Sequence, residues 1–185
     1  MHEESMKFKK KNFKRSFDGR IFLDIKKSWQ ENELEILNKM RQISGIDISS
    51  DKITCYIDHS TSHGYYGSRT IFLGIKNGTK NRIKMDDALM VISHELFHIY
   101  YWRELKKMGL TKSVPGTESK EEWKLAETAA FLLTCEPSLK KIWPSAEVYL
   151  YPEIKGVYNK VKKFWKKGDL DYFLVNSYKK IKKER

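Results

Sequence analysis

"VISHELFHIY", residues 91–100, holds two of the chain's five histidines, His94 and His98, four positions apart. Residues i and i+4 lie one above the other on a helix face. Both imidazoles can therefore aim a nitrogen at one ion. Zn²⁺ takes imidazole nitrogen at about 2.0–2.1 Å and favours four ligands in a tetrahedron. Glu95 is turned about 100° from His94, at roughly 3.6 residues per turn. It stands off the ligand axis but within reach of a water beside the ion. The pattern H-E-x-x-H thus supplies two ligands and one general base. Chance produces on the order of 0.01 such matches in a chain of this composition. The plain alternative is two histidines on an aromatic-rich surface helix.

The helical pattern around this stretch begins near Asp86 or Asp87, either of which can cap the helix and complement its dipole. It runs to Met108, with Gly109 just past the end. Upstream, "KITCYID" (52–58) and "RTIFLGI" (69–75) read as strands. The loop "HSTSHGYYGS" (59–68) separates them, and the turn "KNGTKN" (76–81) follows. Apolar residues from Ile25 to Ile43 fall at helical spacing and predict a backing helix from Asp24 to Ser44, stopped by Gly45. Downstream, Ser119 and Glu122 form an S-x-x-E capping box. It opens a helix over 120–135 that Pro137 ends. The stretch "WPSAEVYLYP" (143–152) reads either as a short helix or as an extended segment. Two lysine-rich amphipathic helices, near 153–167 and 169–183, close the chain, with Gly168 between them. The class is α+β: a backing helix, a short antiparallel-type sheet, the motif helix, a glutamate-bearing helix and C-terminal helices.

A catalytic zinc needs a third protein ligand and an open position. No histidine follows His98, and the only later aspartates are Asp169 and Asp171. A downstream third ligand is therefore a glutamate. Glu127 stands out, because its helical neighbours are Trp123, Ala126, Thr128, Ala129, Ala130 and Phe131. A carboxylate on a small, apolar face is costly unless something neutralises it, and an ion does so. The alternative is an exposed Glu127 paired with Lys124.

The 185 residues suit one domain, and 40% apolar with 13% aromatic residues suffice for a core. No apolar run reaches about 18 residues, which excludes a spanning helix. The basic N-terminus has no apolar run behind it and does not read as a secretory signal. Two cysteines, Cys55 and Cys135, are too few for a disulfide framework. They read as reduced core thiols of a cytoplasmic protein, with one strand-to-helix bridge as the alternative. The net charge is +12, from 36 Lys+Arg against 24 Asp+Glu. The excess clusters in "KFKKKNFKR" (7–15), "KVKKFWKK" (160–167) and "KKIKKER" (179–185). Lysine dominates it, which suits a solvated surface. A charge of this sign also suits contact with nucleic acid, anionic lipid or an acidic protein. The expected organisation is a mobile basic arm (1–20), a core (21–143) and a helical extension packed on that core (144–185).

"HELFH" (94–98) followed by "AETAAFLL" (126–133) resembles the gluzincins, in which two histidines of H-E-x-x-H and a glutamate on a later helix bind zinc. The short chain and the strand before the motif are similar to the small members, the minigluzincins and the ImmA/IrrE-type metallopeptidases. The second motif of the latter has the form E-A-N-x-F-A, and "ETAAF" (127–131) shares its Glu and Phe. The resemblance covers about residues 52–135. It implies a zincin-like core with one zinc per chain, held by His94, His98 and Glu127. It further implies hydrolysis of peptide bonds in a peptide or protein substrate, with Glu95 as general base and then as proton donor to the leaving amine. In that family a strand beside the cleft binds extended substrate, and 69–75 is the candidate. Tyr149, Tyr151 and Tyr158 are candidate oxyanion donors, as are Tyr65, Tyr66 and His63 in the preceding loop. The competing reading is a zinc-stabilised, non-catalytic interaction or regulatory module whose basic surface binds nucleic acid or an acidic protein.

Overall fold

Every second residue of the two central strands is buried. In the computed structural model, which describes residues 5–10, 19–76, 83–114 and 116–182, these are Cys55 and Ile57, and Ile71 and Leu73. Such alternation marks a sheet with one face against a core. On the other face Tyr56 stacks on Phe72, with ring centroids 5.6 Å apart. The four strands are β1 (Lys7–Lys10), β2 (Thr54–Asp58), β3 (His63–Tyr66) and β4 (Thr70–Gly74), and their order across the sheet is β1-β2-β4-β3. The molecule is α+β, with six α-helices beside this sheet among the described residues.

The sheet is mixed, which corrects the antiparallel expectation. β1 and β4 both run parallel to β2, and only β3 is antiparallel to its neighbour β4. Helix α1 (Gly19–Ser44) lies between β1 and β2 in sequence, and a crossover of that length lets two strands run parallel. The second parallel pair has a different cause. The chain leaves β2, crosses the end of β4 in the loop at 59–62, enters β3 and turns back into the gap. The loop passes so close that a Cβ on Gly74 would meet the carbonyl oxygens of Ser60 and Ser62 at 2.6 Å. Part of the expected loop 59–68 is therefore strand β3. Likewise β1 occupies part of the expected basic arm, of which only 5–10 and 19–20 lie within the described residues. Glu33 of α1 anchors β1: its Oε1 accepts from Met6 N–H and Trp29 Nε1–H, and from the Ser50 hydroxyl. The turn expected over 76–81 lies outside the described residues except for its first residue.

Helix α2 (Met85–Lys107) is the central element. Leu89, Ile92, Leu96, Phe97, Ile99, Tyr101, Trp102 and Leu105 are all buried, as expected of a helix with neighbours on every side. It packs against β3, β4, α1 and α3 (Lys120–Thr134). Gly109 follows its C-cap in the left-handed region, at φ +66°, as the sequence predicts. The N-cap differs. It is Lys84, without a side-chain bond, and the carboxylates of Asp86 and Asp87 accept hydrogen bonds from residues 145 and 147 instead. Helix α3 opens on the expected capping box, with Ser119 and Glu122 bonding reciprocally.

Pro137 starts the short helix α4 (Pro137–Lys140) rather than ending α3. Residues 146–150 carry no regular structure. The first closing helix is broken, with α5 (Lys155–Val161) between two 3₁₀ turns, and α6 (Leu170–Lys182) follows. Both cysteines are free, Cys55 buried and Cys135 half-buried. Among the described residues no helix is long and apolar enough to cross a membrane.

Candidate metal centre

Helical spacing stacks His94 and His98 one turn apart on α2, with ring centroids 4.7 Å apart. Their Nε2 atoms face each other at 3.0 Å. Helix α3 approaches this face closely, because Ala126, Ala129 and Ala130 are small and buried. It delivers Glu127, whose Oε2 lies 3.3 Å from His94 Nε2 and whose Oε1 lies 3.3 Å from His98 Nε2. The Glu127 side chain is 14% exposed and that of His98 only 2%. Glu127 therefore spans two histidines and does not stand on the surface beside Lys124. Burial alone would raise its carboxyl, but hydrogen bonds from His94 and His98 override that and hold it well below the usual carboxylate range.

These residues form the one group of three or more metal-ligand side chains found to converge among the described residues. The donor set fits a tetrahedral ion. Bonds of about 2.0–2.1 Å space tetrahedral ligand atoms roughly 3.3–3.4 Å apart; here the two imidazole nitrogens lie 3.0 Å apart, and each faces a different oxygen of Glu127 at 3.3 Å. Two nitrogens and a carboxylate oxygen leave a fourth position free.

Glu95 follows on the next step of α2 and is nearly buried. Burial pushes its carboxyl up to about 7; His94 opposes that rise and Glu127 adds to it. A cleft of about 440 Å³ opens over His94, Glu95 and Glu127, with Trp123, Phe131 and Val148 in its walls. Of the tyrosines singled out downstream, Tyr149 and Tyr151 line this cleft. The Tyr151 hydroxyl is raised by burial and by the charges of Glu127 and Glu95. Tyr158 packs its ring edge-on against Phe131, with centroids 5.6 Å apart, and is not among the lining residues. His63 lines the cleft from β3. The strand beside the cleft is β3, since β4 is interior and paired on both sides. This corrects the choice of 69–75.

Tyr65 has a role that its loop-like sequence context does not suggest. Its ring stacks on His98, with centroids 5.1 Å apart, and its hydroxyl accepts from Trp102 Nε1–H. Among the described residues Nδ1 of His98 is buried without a hydrogen-bond partner, so the Tyr65 ring takes the orienting place that a second-sphere acceptor usually holds. Thirty-seven residues separate Tyr65 from Trp102, and no local pattern links them.

Compared with known proteins, the chain matches no protein-family model, no curated protein and no solved structure.

Proposed function

We propose that this chain is a zinc-dependent metallopeptidase of the gluzincin type that hydrolyses peptide bonds. One observation carries the reading: the triangle of His94, His98 and Glu127 with Glu95 beside it at the floor of an open cleft. His94, His98 and Glu127 would hold one zinc ion. When bound, zinc supplies Lewis acidity toward water and toward a substrate carbonyl. Glu95 takes the proton from the attacking water on its carboxylate and passes it to the leaving amine. Tyr151, whose hydroxyl feels both carboxylates of the floor, donates a hydrogen bond to the oxygen on which charge develops. β3 is an edge strand, so an extended peptide can pair along it through main-chain hydrogen bonds. Free cysteines fit a reducing, cytoplasmic setting.

Metal analysis and peptide cleavage on the full chain test this. Wild type should hold about one zinc and cleave an unstructured protein. His94→Ala and Glu127→Ala should lose the metal. Glu95→Gln should keep it and lose about 10²–10⁴-fold in rate. Full activity in Glu95→Gln would overturn the mechanism. Zinc bound by a wild type that cleaves nothing would leave the metal-stabilised interaction module. That module would show salt-sensitive binding to nucleic acid or an acidic protein, unaffected by Glu95→Gln.

A further inference from the structure

The whole chain carries a net charge of +12, yet among the described residues no lysine or arginine lines the cleft. Its carboxylates are Glu95, Glu127 and Glu147. The functional reading above employs Glu127 as a ligand and Glu95 as a base, and leaves Glu147 without a role. Glu147 is exposed, and its carboxylate makes no hydrogen bond or ion pair among the described residues.

Its backbone, by contrast, is held firmly. Ser145 donates to Asp86 Oδ2 from its N–H at 2.8 Å and from its hydroxyl at 2.7 Å. Lys140 Nζ donates to the Ala146 carbonyl at 2.9 Å. Glu147 N–H donates to Asp87 Oδ1 at 3.4 Å. Asp86 and Asp87 stand in the first turn of α2, the helix that carries His94 and Glu95 two turns later. The backbone that carries Glu147 is thus held at a fixed place relative to His94 and Glu127, and preorganisation of this kind lowers the ordering cost of a binding group. Two residues further on, the ring of Tyr149, 65% exposed, lines the same cleft and meets Tyr151 edge-on. Glu147 and Tyr149 thus line one cleft, and a carboxylate and an aromatic ring together can receive a lysine or arginine side chain, through a charge-assisted hydrogen bond and a cation–π contact.

We propose that Glu147, with the Tyr149 ring, is the specificity site of this cleft and selects peptides with a lysine or arginine side chain next to the bond placed over His94 and Glu95. The inference rests on the peptidase reading for the meaning of that bond, but recognition of the cation is measurable without cleavage.

The test uses the full chain, zinc-loaded and carrying Glu95→Gln, with N-acetylated, C-amidated peptides in matched pairs. One pair exchanges lysine for norleucine and the other arginine for citrulline. Binding is read from the fluorescence of Trp123 in the cleft wall or by calorimetry. The cationic member of each pair should bind about tenfold more tightly. Adding Glu147→Gln should bring that ratio close to one, and Glu147→Lys should shift the preference to peptides with glutamate at the same place. An unchanged ratio in Glu147→Gln, with thermal melting equal to the parent, would overturn the proposal. So would a preference confined to peptides with a free α-amino group, which would mean recognition of a chain end. In the active chain, Glu147→Gln should lower the lysine-to-norleucine ratio of kcat/KM by the same factor. If wild type cleaves nothing while the binding ratio stands, the peptidase reading fails and the cation site survives.

Discussion

At the scale of single residues, the candidate site depends on groups that hold His94, His98 and Glu127 as much as on those residues themselves. Among the described residues His98 has no hydrogen-bond partner on Nδ1, so the stacked Tyr65 ring fixes its plane. Tyr65→Phe keeps that ring and should keep metal affinity within about twofold. Tyr65→Ala removes it and should weaken affinity about tenfold; competition against a chromophoric chelator measures both. Away from the cleft, Glu122 ties the start of α3 to Thr111 and Tyr178. Burial alone would raise its carboxyl. Hydrogen bonds from Ser119 N–H and from the hydroxyls of Thr111, Ser119 and Tyr178 override that and hold it at about 2, below its ordinary 4.5. A carboxyl lowered by folding contributes stability that is fully present above about 4.5 and is lost as pH falls toward 2. Glu122→Gln should therefore lower the melting temperature at neutral pH, and wild type and variant should converge across that acid window. Thermal melts at stepped pH provide the check.

At the scale of elements, the joints between helices are specified by backbone contact. Gly45 ends α1 in the left-handed region, at φ +76°, and a Cβ there would sit 2.1 Å from the carbonyl oxygen of Gly168. Gly168 N–H in turn donates to the Ile43 carbonyl at 2.8 Å. The end of α1 is thus locked to the turn that leads into α6. Gly45→Ala meets both the strained conformation and the clash, and should cost more than about 3 kcal/mol. Gly168→Ala meets only the conformational cost of about 1–2 kcal/mol, since its Cβ would have 3.8 Å to its nearest neighbour. Chemical denaturation of the two variants side by side measures that difference.

At the scale of the whole molecule, the candidate metal site joins two helices that are separate in sequence. His94 and His98 belong to α2 and Glu127 to α3, and the buried alanines of α3 allow the approach. An ion that binds only the folded arrangement stabilises it by mass action, by about 2.7 kcal/mol at a hundredfold excess over Kd. For a chain of this size that corresponds to roughly 5–10 °C in melting temperature. Chelation should lower Tm by that amount, added zinc should restore it, and Glu127→Ala should melt at the chelated value with or without zinc. Calorimetry on the three samples decides the matter.

What the sequence by itself determined is what depends on near neighbours along the chain. Helical spacing sets His94 and His98 on one face and Glu95 beside them. The capping box at Ser119 and Glu122 and the stop at Gly109 need only three or four residues each, and alternation alone marks β2 and β4. Glu127 was legible through its alanine-rich surroundings. What the tertiary structure decided are contacts between residues far apart in sequence, which leave no periodic trace. Tyr65 reaches Trp102 across 37 residues, and Asp86 reaches Ser145 across 59. The mixed sheet, the assignment of the cleft edge to β3, and the pinning of 145–147 beside the cleft all have this origin. Local physics chose the elements and placed the ligand pair; the chain crossing at Gly74 and the packing of α3 on α2 chose their partners.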